Sequence, residues 1–243
     1  MIHLIQKIGL RVAFLLSLLG AAFPAFSQAP DAQPTQETAY RYLAIGNSIT
    51  RHPICEYWWD EAGMAASSAE KDYVHLVSDW LREQYGDVET VIANFVEWET
   101  TKTKKENTYG VIDPYLEQGA DLITVQLSEN ATYSKSFRKS YKALIRHIQS
   151  KCPDAVIILV DDFWDNDKAA AKQQVAKELH LPFATLAGIR GDSRYQWTVG
   201  DTVYGSDGAA HVIEREDVAH HPNDAGMAYI AAVVIGQLSL LMP

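Results

Sequence analysis

Strand-like and helix-like patterns alternate along this chain, and that alternation restricts the fold more than any single residue does. Short apolar runs stand at residues 41–45, 90–94, 121–127, 155–160 and 181–184. Apolar residues at helical spacing mark 72–85 and 136–149, residues 168–179 read as an Ala- and Lys-rich helix, and 225–241 as a final helix apolar enough to dock on the sheet. Val74, Val77 and Leu81 make the stripe of the first helix, and Gly86 stops it. Strands that alternate with helices form a parallel sheet covered on both faces. The pattern predicts an α/β fold, a three-layer α/β/α sandwich around a five-stranded parallel sheet. The run at 155–160 is apolar enough to be central, and Pro182 places the last strand at an edge.

At 243 residues, with no repeat or mid-chain linker, the chain suits one sizeable domain. A composition of 47% hydrophobic and 21% charged residues excludes a disordered chain. Lys7 and Arg11 precede an uncharged, mostly apolar run at 12–23, and Ala25-Phe26-Ser27 offers small residues for cleavage. The run is short for a bilayer span, so residues 1–27 are expected to be a secretory signal peptide, with an uncleaved anchor as the alternative. Residues 28–39, rich in Gln, Pro, Ala and Thr, read as a flexible lead-in, and 40–243 as the domain. The expected location is secreted or periplasmic, without stable membrane insertion once the signal is cleaved.

The formal net charge is −10, and removing Lys7 and Arg11 with the signal makes the domain −12. Such a domain is a poor partner for nucleic acid or an anionic membrane surface. Lys102, Lys104 and Lys105 are bracketed by Glu97, Glu99 and Glu106, which reads as a solvated loop. Cys55 follows the first strand whereas Cys152 precedes a later one, so they fall at opposite ends of a parallel sheet, too far apart for a disulfide.

Chemistry-bearing residues collect on the carboxyl side of the predicted strands, where open parallel sheets bind ligands. Ser48 follows the first strand in Gly46-Asn47-Ser48-Ile49. It is either a turn residue or a nucleophile, and a nucleophilic serine needs a base within hydrogen-bond reach. Residues 217–224 (Asp-Val-Ala-His-His-Pro-Asn-Asp) supply His220 and His221 just before the last helix. A histidine pair is also half a metal site, but no third ligand stands at a recognisable spacing, so no metal is expected. Asn130, after the run at 121–127, is either a turn residue or an amide donor for an oxyanion. Tyr57, Trp58 and Trp59, in the loop after Ser48, either cover the sheet end or form a flat platform for a sugar ring.

Together, Gly46-Asn47-Ser48-Ile49, Ser128-Glu129-Asn130 and His221-Pro222-Asn223-Asp224-Ala225-Gly226 resemble the blocks of the SGNH (GDSL-type) hydrolases, in order and spacing, over nearly all of the chain from Tyr40 onward. The resemblance implies a flavodoxin-like fold and hydrolysis of esters of lipids, thioesters or acetylated carbohydrates. It implies Ser48 as nucleophile, His221 as general base, the Ser48 N–H and Asn130 side chain as oxyanion donors, and no cofactor. Three departures stand out. The second block, usually closed by a glycine whose N–H completes the oxyanion hole, here reads Asn94-Phe95-Val96-Glu97, which leaves Asn94 as that block's candidate for the oxyanion hole. The third block begins with Ser128 in place of glycine. The usual acid lies three residues before the histidine, where this chain has Val218. Asp217, four before, is then the candidate orienter, with a backbone carbonyl as one alternative and His220 as the base, three after Asp217 but without the following proline, as the other.

The expectation is an exported serine esterase acting on an acetyl or other short acyl group of a carbohydrate. An acyltransferase of the same fold and a non-catalytic glycan-binding module are the rivals.

Overall fold

The computed structural model describes residues 39–241, except 133, 165 and 166. The expected signal peptide and all but the last residue of the lead-in lie outside the described residues. Five strands, β1 (Tyr40–Gly46), β2 (Val88–Asn94), β3 (Leu122–Gln126), β4 (Val156–Val160) and β5 (Phe183–Ala184), form one sheet in the order β2-β1-β3-β4-β5. Every pairing is parallel, from Tyr40 opposite Val88 to Gly46 opposite Asn94 on one side of β1, and from Tyr42 opposite Leu122 to Gly46 opposite Gln126 on the other. β5, with Pro182 just before it, is a two-residue edge strand.

Alternation along β1 sends its side chains to opposite layers. Tyr42 and Ala44 pack with Val74, Val77 and Leu81 of α1 (Tyr73–Tyr85) and Met227, Ile230 and Val234 of α7 (Asp224–Leu241). Leu43 and Ile45 pack with Tyr141, Leu144, Ile145 and Ile148 of α4 (Phe137–Lys151) and Val175 and Ala176 of α5 (Ala169–Leu179). Each such aliphatic side chain contributes roughly 1.5–3 kcal/mol by leaving water. α1 starts where the Asp72 carboxylate accepts the His75 N–H at 2.7 Å and stops at Gly86, whose φ is +81°. α7 is long and apolar enough to cross a bilayer by length and composition. Here its face Met227-Ile230-Val234-Leu238 lies in the core.

Two stretches that show no strand or helix period carry structure. Residues 97–107 hold all but the first residue of α2 (Val96–Thr100), a short α3 (Asp113–Leu116) follows, and residues 188–215 contain an antiparallel hairpin of β6 (Thr202–Tyr204) and β7 (Ala210–Val212). Elements of three to five residues are too short to show a period, so tertiary packing alone reveals them. A four-residue helix, α6 (Glu216–Ala219), precedes His220. Cys55 and Cys152 are free thiols.

The Ala- and Lys-rich stretch expected as a helix forms α5, and two of the stretch's lysines turn inward. Lys168, just before the helix, donates to the Ala131 carbonyl at 2.9 Å. Lys172 donates to the Leu127 carbonyl at 2.8 Å and to the Asp162 carboxylate at 2.6 Å, with both side chains fully buried. Burial alone would lower the Lys172 pKa, but the Asp162 carboxylate raises it above the usual lysine value. These bonds fasten the loop between β3 and α4. Lys172→Met keeps the bulk but strands Asp162 without its counter-charge, so urea unfolding is expected to show a loss of about 3–5 kcal/mol. A loss under about 1 kcal/mol would mean the pair holds nothing.

Candidate active site

The site lies at the carboxyl ends of β1, β2 and β3, and β1 and β3 flank the switch point of this strand order. Gly46 ends β1 because nothing larger fits: a Cβ there would stand 1.8 Å from the Thr50 hydroxyl and 2.9 Å from the Gln126 carbonyl. The chain then turns on Asn47, whose carbonyl accepts the N–H groups of Thr50 (3.0 Å) and Arg51 (2.9 Å). The Asn47 side-chain oxygen takes the Ile49 N–H at 3.0 Å, and its amide donates to Glu99 at 3.0 Å. Ser48 is thereby held at the tip of a fixed turn, and its own N–H has no backbone partner among the described residues.

Ser48 Oγ lies 2.8 Å from His221 Nε2. His221 Nδ1 lies 2.7 Å from the backbone carbonyl of Asp217, so Nδ1 carries the hydrogen and Nε2 offers a lone pair to the serine. The Asp217 carboxylate faces away and pairs with the Arg215 guanidinium, with one bond of 2.8 Å. The expectation that the Asp217 side chain orients the histidine is corrected: its main chain does so, because α6 lets the Asp217 carbonyl reach the ring four residues on. His221 is 6% exposed. Trp164 meets its ring edge-on at 4.9 Å and donates to the His220 carbonyl at 2.9 Å. Burial pushes the His221 pKa down to about 4; its hydrogen bond to Asp217 opposes that shift, and nearby His52 adds to it. The histidine is neutral at pH 7. Asn223 caps α7, its side-chain oxygen taking the Gly226 N–H at 3.0 Å while its amide holds the Gln196 carbonyl at 2.8 Å, and so fixes the turn that carries His221.

Asn130 is solvent-exposed and lines the same pocket as Ser48. One N–H of its amide goes to Glu99 Oε2 at 2.6 Å, which leaves the second for a ligand. Glu99 also accepts from Asn47 and from the Ser128 N–H. It is 3% exposed, against the expectation of a solvated acidic bracket. Burial pushes its pKa up, and the donors from Asn130, Asn47 and Ser128 oppose that shift. No sequence signal separated Glu99 from Glu97 and Glu106. Ser128, where the resemblance expects glycine, has φ +120°, in the region that favours glycine, and its Oγ donates to Asp162 at 2.7 Å.

Asn94 lines the same pocket: its amide gives one N–H to the Arg51 carbonyl at 2.7 Å and its oxygen accepts the Val96 N–H at 3.0 Å, which fixes the turn after β2 and, as for Asn130, leaves the second amide N–H for a ligand. The three aromatics fall elsewhere. Trp58 is buried with Met64, Val203, Ile213 and Val218 and cannot be a platform. Trp59 stacks on His211 at 4.4 Å, and the Arg215 guanidinium covers Tyr57 at 4.0 Å. None of the three lines the Ser48 pocket, so the platform expectation is corrected. The three aromatics close a small apolar cluster under the β6–β7 hairpin. The pocket itself is about 510 Å³, walled by Arg51, His52, Pro53, Val96, Glu97 and Tyr115.

No family model matches the chain, and no curated protein matches it by sequence. Among solved structures it is similar to a two-domain esterase active on acetylated mannans, crystallised with mannopentaose (TM-score 0.55, 18% identity, 84% of this chain and 50% of that one). It is also similar to a family two carbohydrate esterase from Clostridium thermocellum in complex with cellohexaose (TM-score 0.53, 14% identity, 83% and 64%). A third is TesA (TM-score 0.52, 16% identity, 83% and 99%). The chain thus spans half to two thirds of the length of the two carbohydrate esterases. The fold is the α/β fold shared by SGNH/GDSL hydrolases.

The His221 value sets a pH signature that needs no substrate. Its folded pKa lies below the unfolded value of 6.5, so the unfolded chain takes up a proton first as pH falls. The contribution of His221 to stability is nil above pH 6.5 and becomes a loss of about 3 kcal/mol between there and pH 4. Imidazole NMR should place the His221 titration midpoint near 4. A midpoint near 6.5 would mean that the ring is hydrated.

Proposed function

We propose that this chain is an exported esterase that hydrolyses an acetyl or other short acyl ester on a carbohydrate through an acyl-serine intermediate. The observation that carries the reading is Ser48 Oγ 2.8 Å from the lone-pair nitrogen of a buried, neutral histidine, in a pocket shared with the Asn130 amide. Ser48 Oγ attacks the ester carbonyl while His221 Nε2 takes its proton. The Ser48 N–H and the second N–H of Asn130 donate to the oxyanion as the tetrahedral centre forms. His221 returns the proton to the leaving sugar hydroxyl. Water then enters and attacks the acyl carbonyl as His221 takes its proton, and His221 passes that proton to Ser48 Oγ as the acid leaves. The imidazolium formed in each half-reaction is oriented by the Asp217 carbonyl, so the base works in a dyad. A base with a low pKa is a weaker proton acceptor but is fully available at neutral pH.

The pocket volume of about 510 Å³ accommodates a short acyl group with part of a sugar. Carbohydrate esterases among the similar structures favour a glycan ester. Export rests on the signal-like pattern of residues 1–27.

Hydrolysis of p-nitrophenyl acetate by the full chain and by its Ser48→Ala variant is the first test. The variant is expected to lose about 10⁴-fold or more in kcat, and equal rates in two folded proteins would sink the assignment. Asn130→Ala should cost about 10²–10³-fold in kcat. Asp217→Asn should stay within a few-fold of the parent, because the carbonyl survives the change. A drop near 10⁴-fold, the loss seen when a carboxylate alone orients the histidine, would return the role to the side chain.

A further inference from the structure

A second groove opens beside the Ser48 pocket and shares Asn130 with it. Its volume is about 630 Å³. One wall is the turn at residues 100–106 and the other is the start of α4 with the loop before it. Lys102, Lys104 and Lys105 stand on the first wall and Lys139 on the second, with Thr and Ser hydroxyls between them. Lys105 is occupied: its ammonium sits over the Trp98 ring at 4.6 Å and donates to the Trp98 and Glu99 carbonyls. Lys102, Lys104 and Lys139 are exposed and have no ion pair among the described residues.

The acidic residues that bracket these lysines in sequence do not neutralise them in space. Glu97 lines the Ser48 pocket; Glu99 and Glu106 both line the groove, but the Glu99 carboxylate is buried and spent on Asn47, Ser128 and Asn130, which leaves Glu106 as the exposed acid there. A chain of net charge −10 thus gathers unpaired ammonium groups on both walls of one groove, next to its oxyanion donor. Like charges held together repel each other, and a bound anion relieves that repulsion. Ammonium groups interleaved with hydroxyls match a polymer that carries a carboxylate and several hydroxyls on each unit.

We propose that this groove binds uronic acid units, so that the ester cleaved at Ser48 is carried on an anionic, carboxylate-bearing glycan. The inference rests on the esterase reading for the cleavage, but the groove's binding can be measured without it. In isothermal titration of the full chain with unesterified oligogalacturonide and with neutral cello-oligosaccharide of equal length, the acidic ligand should bind at least about 10-fold more tightly, as three exposed ion pairs allow. That advantage should shrink as salt shortens the reach of surface charges. It should also disappear in Lys102→Ala/Lys104→Ala/Lys139→Ala, checked for folding by circular dichroism. In kinetics, the preference for acetylated oligogalacturonide over acetylated manno-oligosaccharide, read as a ratio of kcat/KM, should fall about 10-fold in the same variant. Equal binding of acidic and neutral ligands, or an advantage that survives the triple substitution, overturns the groove assignment. Lysine-dependent binding without turnover of any ester overturns the Ser48 reading and leaves the groove standing.

Discussion

The Glu99 carboxylate collects N–H groups from Asn47, Ser128 and Asn130, and so ties the turn after β1, the loop after β3 and α2 into one unit. A buried carboxylate is tolerable only when its lone pairs are filled, and these donors fill them. The arrangement has a chemical consequence. Asn130 is exposed, and an exposed amide on a loop would otherwise sample several rotamers; one hydrogen bond to Glu99 aims its other N–H. Asn47 carries the turn that presents Ser48, so the proposed nucleophile and the proposed oxyanion donor are positioned by the same acceptor. Preorganisation of this kind matters more than the count of polar groups, because donors that need not reorient stabilise charge as it develops.

Around that unit, the structure answers two of the three departures from the expected pattern, at Ser128 and at the acid, with a substitute. Ser128 holds a φ of +120° that costs a non-glycine residue about 1–3 kcal/mol. It is held there by its N–H to Glu99 and its hydroxyl to Asp162. Asp162 in turn is paired with Lys172, whose ammonium also holds the Leu127 carbonyl one residue before the strain. The displaced acid is replaced by a main-chain carbonyl, which a four-residue helix brings beneath the imidazole. A neutral carbonyl fixes the tautomer as well as a carboxylate does, but gives the imidazolium less electrostatic support. Burial against Trp164 then leaves the ring with its low pKa.

Much of the frame was legible from the chain. Strand-length apolar runs and helical stripes specify a parallel sheet because a strand buried on both faces and an amphipathic helix have different periods. Gly46-Asn47-Ser48 and His221-Pro222-Asn223 were readable because a serine at a strand end and a histidine before a capped helix are local patterns. The aromatic run at Tyr57, Trp58 and Trp59 was misleading for the opposite reason. Adjacent aromatics look alike in sequence, and whether they face a pocket or a neighbouring hairpin depends on β6 and β7, some 145 residues away.

What the sequence by itself determined is the order of the layers and the residues brought to the carboxyl edge of the sheet, since both follow from periodicity and from position relative to strands. Only the tertiary structure decided which polar groups face one another. Glu97, Glu99 and Glu106 are equivalent acids in the chain, and packing buries only Glu99, where it meets Asn47, Ser128 and Asn130. Asp217 offers a carboxylate and a carbonyl, and the geometry of α6 selects the carbonyl. Hydrogen bonds act over about 3 Å, and no pattern along the chain encodes a distance that short between residues so far apart in sequence.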